Sequence, residues 1–379
     1  MKKNIVKILA VILCSVCFVT YRFYDATNVE DAKTNTIKPN NNMLSMMLET
    51  EAGSGKYEMT LTSSWPTEGY VFNSEISKCE NGGTLSWNDE SKQVVFNGSI
   101  TDKCYIYFDI YVKPSVSISD YIKNLYTGTQ GENNLYYHDS NLTNGASDNS
   151  YRYAGANPNN YVCFGNSESS CPEDNLYRII GVFEENNHGV KGQKLVKIIK
   201  SKSNETSSWN DTASNDWSSA TLNTKLNTTF LTSNLAGYED KIETVIYKVS
   251  GYSNADVTSK TFYDTEITNA TKTVSSKIGL MYASDYGFAT TNKYWTINLS
   301  AYSSEAKNED WLYLGTIEWT LSPNPVSLPE GAITVNGGAI SVNNYSVQYY
   351  YDYRPTFYLV SDIQYVSGSG TSTDPYRVG

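Results

Sequence analysis

The chain has 379 residues, 40% of them hydrophobic and 13% aromatic. That is too apolar for a disordered polypeptide and long enough for two or three domains with cores of their own. Its 29 Lys and Arg face 40 Asp and Glu, a formal net charge of -11, so no cationic stripe is available to neutralise phosphates and nucleic acid is excluded as a partner. The aromatics are mostly Tyr, 32 against 11 Phe and 7 Trp, a residue that suits half-buried sheet faces and exposed binding surfaces alike.

In chain order, residues 1–24 come first and set the compartment. Lys2, Lys3 and Lys7 flank and enter an apolar run from Ile5 to Val19, a positive end followed by a stretch near the lower limit for crossing a bilayer. Tyr21-Arg22-Phe23-Tyr24 follows it without a small-x-small cleavage site, so the segment reads as a transmembrane signal anchor; the alternative is a cleaved signal and a secreted chain. Leu13 before Cys14 and Val16 before Cys17 do not fit a lipobox. The positive-inside rule then places everything after Asp25 outside the cell. No second hydrophobic run follows, and Tyr376-Arg377-Val378-Gly379 is no sorting tail.

Residues 25–50 read as a linker, poor in apolar residues at least as far as Met43. Residues 51–115 read as a small β-sandwich. Tyr57-Glu-Met59-Thr-Leu61-Thr alternates, as does Cys104 to Val112, with Cys104, Ile106, Phe108 and Ile110 on one face. Thr84–Trp87 and Gln93–Phe96 flank the turn cluster Asn88-Asp-Glu-Ser. Residues 116–132 hold a bridging helix, with Ser117 as N-cap and Gly128 as C-cap.

Residues 133–379 read as a larger β-rich α+β domain. Leu176–Phe183 and Leu195–Ile199 are paired strands, and Leu222, Leu226 and Phe230 mark a helix over 220–231 capped by Ser218 or Ser219. Further strands are expected at Thr244–Val249, Ile278–Tyr282, Ile317–Leu321 and Arg354–Leu359, with a hairpin turning at Asn336-Gly337. Strands and helices do not alternate as βαβ units, so the class is α+β. Of the 6 Cys, four lie beyond the apolar run. The simplest of their three connectivities pairs Cys79 with Cys104 and Cys163 with Cys171. C-x-x-C spacing is missing, so disulfides of an exported protein are expected rather than a metal site.

Several strings carry a resemblance. Ala154-Gly-Ala-Asn157-Pro158-Asn-Asn-Tyr161-Val-Cys163-Phe-Gly165, then Cys171-Pro-Glu-Asp-Asn-Leu-Tyr-Arg178-Ile-Ile-Gly-Val-Phe183, resemble a family of surface modules of gut Firmicutes. So do Ile278-Gly-Leu-Met-Tyr-Ala-Ser284-Asp285-Tyr-Gly287, Trp319-Thr-Leu-Ser322-Pro323, Tyr353-Arg354-Pro355-Thr-Phe-Tyr-Leu359, and the segment from Tyr365 to Pro375. As an ordered set they cover most of 117–379. The Trp-x-Leu-Ser-Pro and Arg-Pro-x-x-x-Leu pair is also remotely similar to the C-terminal signature of C-type-lectin and formylglycine-generating-enzyme-like domains. That resemblance implies a loop-rich domain used mostly for binding. The catalytic cysteine pair of the enzymes of that fold has no counterpart, since the last cysteine here is Cys171.

Other chemistry is sparse. His138 and His188 sit in polar strings and read as exposed loop residues, and no nucleophile elbow is present. Paired carboxylates meet only in space; Glu318, beside Trp319, is expected to face solvent on an alternating strand. Asp139, Asn141, Asn144 and Asp148 surround Gly145 but miss the spacing of a calcium loop, so a polar turn is expected and no metal. Arg354 is expected to pair, buried, with a carboxylate such as Asp285. Asn97, Asn141 and Asn227 reflect an Asn-rich composition rather than glycosylation. The sequence therefore predicts a membrane-anchored, extracellular, non-enzymatic binding or structural ectodomain without a cofactor. Its ligand would be a carbohydrate or a protein, met through Tyr- and Trp-rich loops. An exported carbohydrate-active enzyme with paired carboxylates is the alternative, and an envelope-assembly component bound to a neighbouring membrane protein a third.

Overall fold

A computed structural model describes residues 35–36 and 44–379, apart from 63, 100, 113–114, 169, 204, 325–329 and 343–344. The expected anchor lies outside the described residues, and among those described no helix is long and apolar enough to cross a membrane. The chain divides into two compact units, residues 1–114 and 115–379. Strand outweighs helix, the two are not arranged as βαβ repeats, and the fold is mixed α+β.

The first unit contains β1 (Asn35–Thr36), β2 (Leu44–Glu49), β3 (Tyr57–Thr60), β4 (Tyr70–Phe72), β5 (Lys78–Cys79), β6 (Thr84–Asn88), β7 (Gln93–Asn97) and β8 (Cys104–Ile110). β8 alternates as predicted: Cys104, Ile106 and Phe108 are buried, while Tyr105 and Tyr107 turn the other way. It organises one sheet, with β2 parallel along one edge and β4 and β5 antiparallel along the other; β3 lies outside β2. β6 and β7 form the expected hairpin, and the Asn88 Oδ1 accepts from the backbone N–H of Glu90 and Ser91 to close its turn. Phe108 is the hub of the core: Trp87, Phe72 and Trp65 pack on its ring at 5.6, 5.8 and 6.1 Å. β2 corrects the linker reading, because 44–49 is a sheet strand that contributes buried Met46 to this core. The polar composition of 25–43 hides a short apolar run that starts just beyond it.

The second unit begins with α1 (Ile118–Asn124). Ser117 caps it as predicted, accepting from Asp120 N–H, but the helix ends at Leu125 and does not reach Gly128. The strands that follow are β9 (Leu135–Tyr137), β10 (Tyr151–Tyr153), β11 (Tyr161–Cys163) and β12 (Leu176–Phe183). A one-turn helix α2 (Glu185–His188) interrupts the loop leading to β13 (Leu195–Lys200), and β14 (Thr206–Ser207) comes next. α3 (Thr221–Lys225) runs on as a π-helical stretch, Leu226–Asn234, and its N-cap is Ala220 rather than a serine. Then come β15 (Val245–Lys248), α4 (Ser259–Tyr263) with a π-helical continuation Asp264–Thr268, β16 (Thr273–Ser276), β17 (Ile278–Gly279), the buried α5 (Ala283–Ala289), and α6 (Ser304–Asn308). β18 (Glu318–Pro323), β19 (Ala332–Asn336), β20 (Ala339–Ser341), β21 (Tyr351–Asp352), β22 (Thr356–Tyr358), β23 (Tyr365–Ser367) and β24 (Tyr376–Val378) complete the unit.

The main sheet runs β17-β22-β13-β12-β11-β24-β23, with β10 on β12 and β9 on β10. β13 is buried at every position and β12 at all but its first, which is why both read as near-continuous apolar runs rather than alternating ones. Gly181 is required on β12: a Cβ there would lie 2.2 Å from the Tyr151 carbonyl oxygen across the β10 pairing. A second sheet runs β14-β21-β18-β19-β20, and its β19–β20 hairpin turns through Gly337 and Gly338 at φ 61 and 88, as Asn336-Gly337 predicts.

Candidate functional site

Four charged side chains meet inside the second unit. Arg152 comes from β10, Lys197 from the middle of β13, Asp285 from the first turn of α5, and Asp148 from the β9–β10 connection. Arg152 Nη2 donates to Asp148 Oδ2 at 2.8 Å and Nη1 to Asp285 Oδ1 at 3.3 Å; Lys197 Nζ donates to Asp285 Oδ2 at 2.5 Å. Signs alternate along the row, so each charge removed from water has an opposite neighbour, the condition under which buried ions are tolerated. Aromatic faces supply the rest of the solvation: the Arg152 guanidinium lies 4.6 Å from the Phe183 ring, and Lys197 Nζ lies 4.2 Å from Tyr282.

Asp148 is the most heavily engaged group. Besides Arg152 it accepts from Asn187 Nδ2 at 3.0 Å, Tyr263 Oη at 2.8 Å, and both the backbone N–H and the hydroxyl of Ser150. Burial alone would raise its carboxyl, but Arg152 and these donors hold it below the usual carboxylate range. Glu266, in the π-helical continuation of α4, goes the other way. Burial pushes it up to about 8 although Ser284 and Ala283 donate to it. Ser322 also donates to it, which ties β18 to the same group.

A cleft of about 500 Å³ opens beside this network. Asp148, Tyr263 and Ile267 line its inner part; Ser147, Thr268, Glu185, Asn186 and Lys248 also line it. Its walls are irregular backbone. Asn144, Ser147 and Asn149 all have φ near +60, and the π-helical turn 264–268 forms one side; such departures cluster at binding sites. The lining offers two carboxylates, an ammonium, an amide and three hydroxyls to a polar ligand.

Both disulfides close as predicted, Cys79 with Cys104 and Cys163 with Cys171. The cluster of Cys79, Asp102 and Cys104 therefore has no thiolate to offer a metal; Asp102 instead accepts from Asn81 and Gly83 N–H. Trp319 is buried and its Nε1 donates to Ser207 O; Pro323 ends β18 opposite Ala332. Pro355 follows Arg354 and its carbonyl accepts from Lys200 N–H. Arg354 is buried and paired, but to Glu318 and not to Asp285: Nε and Nη2 reach the two carboxylate oxygens at 2.7 and 2.9 Å, and Nη2 also donates to Leu312 O. Asp285 is already committed to Arg152, Lys197 and the Tyr282 N–H it caps. This also corrects Glu318, which is buried because β18 is covered on both faces.

Two further expectations are overturned. His138 and His188 are fully buried. His138 Nδ1 accepts from Ala146 N–H, and its ring packs on Phe288 and Trp295 from distant sequence; burial lowers it to about 3. Burial likewise lowers His188 to about 4. The Trp residues do not furnish contact loops: six of the seven are buried and Trp87 is half-buried. The polar turn expected around Gly145 begins at Asp139, whose Oδ1 accepts from Asn141 and Leu142 N–H. Asn227 is a strut, accepting from Lys277 and Ile278 N–H.

Arg152, Lys197, Asp148 and Glu266 carry no sequence motif that marks them as a site. The available signal is Lys197 inside Leu195-Val-Lys-Ile-Ile: a cation in a strand too apolar to have a wet face needs a buried carboxylate. Compared with protein-family models, curated proteins and solved structures, the chain matches none.

Proposed function

We propose that the chain is a membrane-anchored, extracellular, non-enzymatic binding ectodomain whose second unit takes a hydroxyl-bearing ligand, a carbohydrate or a polar protein segment, at the cleft beside Asp148 and Tyr263. The first unit serves as a small β-sandwich support, and the second is a lectin-like module, a reading that rests on the motif resemblance. The observation that carries the export half is the pair of disulfides, one within each unit, bonds that persist in oxidising compartments. The binding half rests on the cleft's lining of hydrogen-bonding groups around one aromatic side chain.

Glycan arrays and pull-downs with the extracellular part test the binding. Asn186→Trp fills the cleft from an exposed position and should abolish retention without lowering the melting temperature. Retention that survives the filled cleft removes the site, and sugar release that disappears on carboxylate substitution replaces binding by hydrolysis. Thiol labelling of intact cells tests export: free Cys163 or Cys171 would overturn it.

A further inference from the structure

Lys197 and Asp285 are placed as reactants as well as an ion pair. Lys197 lies at the centre of the main sheet, paired to Gly181 on one side and Tyr358 on the other, and has no exposed surface. Its Nζ touches Asp285 Oδ2 at 2.5 Å, across 88 residues of sequence. Tyr282, Tyr358 and Phe183 rings surround the ammonium at 4.2, 5.7 and 5.9 Å. An amine and a carboxyl held together away from water meet the two requirements for condensation: proximity that replaces a bimolecular encounter, and little water to reverse it.

We propose that Lys197 and Asp285 join covalently in the mature protein, as an intramolecular amide between Nζ and Cγ. Taking the Lys197 ammonium out of water lowers the cost of reaching the free amine that must attack. Burial depresses the Lys197 ammonium in spite of Asp285. Transfer of one proton from Nζ to Oδ2 along their contact gives both reactive forms at once. Nζ then attacks Cγ, and the negative charge that develops on Oδ1 faces Arg152 Nη1, already 3.3 Å away and placed as an oxyanion donor. Tyr282 N–H, donating to Oδ2 at 3.0 Å, steadies the leaving oxygen. That oxygen departs as water with the proton it received and a second one from Nζ. One C–O bond is exchanged for one C–N bond, with no oxidant or reductant. The product ties the central strand β13 to the buried helix α5, a third covalent brace in a chain already carrying two disulfides.

Mass spectrometry of the full chain decides it, after denaturation, reduction of the disulfides and sequencing of the N-terminus. The amide predicts a protein one water lighter than its sequence, no tryptic cleavage after Lys197, and a branched peptide containing both residues. Lys197→Arg keeps the positive charge without the primary amine and should restore the full mass. A wild-type chain of full mass that is cut after Lys197 overturns the proposal. So does a missing water that persists in Lys197→Arg, since the dehydration would then lie elsewhere. Should that variant fail to fold, the wild-type peptide map is decisive by itself: the branched peptide supports the amide, and separate linear peptides overturn it.

Discussion

Replacing Arg354 by Met removes the cation that holds Glu318 and leaves a carboxylate buried on β18 with no charge opposite it. Both side chains are at most 3% exposed, so solvent cannot take over the role. Breaking a buried pair from one side costs about 3–5 kcal/mol. For a unit of this size each kcal/mol moves the midpoint by about 2–4 °C, so the melting temperature should fall by roughly 6–20 °C. The double variant Arg354→Met with Glu318→Met has no stranded charge and should recover much of that loss. What remains is the Leu312 carbonyl, deprived of its Nη2 donor, about 1–3 kcal/mol. Asp285→Asn combined with Arg354→Met should be additive within about 0.5 kcal/mol, because the two residues belong to separate networks. Calorimetry on the single and double variants measures all of this. A single variant melting within the error of the wild type, or a double variant worse than the sum of its parts, refutes the assignment of Glu318 as the partner.

Acid should weaken the fold through its buried imidazoles. His138 is lowered from 6.5 to about 3, so its stabilisation is present above pH 6.5 and drains away as the pH falls towards 3; His138→Phe should flatten that part of a stability profile measured by urea titration. Glu266 acts in the opposite sense: raised from 4.5 to about 8, it contributes fully below pH 4.5 and the contribution is lost as pH rises through 8, a decline that Glu266→Gln should remove. Arg152→Met strands Asp148 and cuts the support of Asp285, and should lower the denaturation free energy by about 3–5 kcal/mol, read by calorimetry. Reducing both disulfides should cost each unit about 3 kcal/mol, and the smaller first unit, with less core to spare, should lose its near-ultraviolet Trp signal first.

The units, half of the described strands of the second one, the Asn336-Gly337 turn, the Ser117 cap and the cysteine pairing are legible because each rests on neighbours in sequence. The errors share one cause. Glu318, His138 and His188 stand in polar or alternating strings, and what buries them arrives from elsewhere: Arg354 for Glu318, and Phe288 with Trp295 for His138. Local pattern reports the face a strand would show if it were half wet, and β18 has no wet face. For Arg354 the sequence implies a buried, paired arginine but points to the wrong carboxylate, since chemistry names the class of partner and only the packing chooses which carboxylate is free. The π-helical turn carrying Glu266 has no signal at all, as its residues satisfy an ordinary helical spacing.

The parallel pairing of β2 with β8 sets a timetable for the first unit. Leu44 lies opposite Cys104 and Leu48 opposite Phe108, so the earliest strand of that sheet must wait for the latest, some sixty residues on. A chain made from its N-terminus cannot complete this sheet until the segment ending at Ile110 is present. Only then can the sheet zip and oxidation of Cys79 with Cys104 latch it shut.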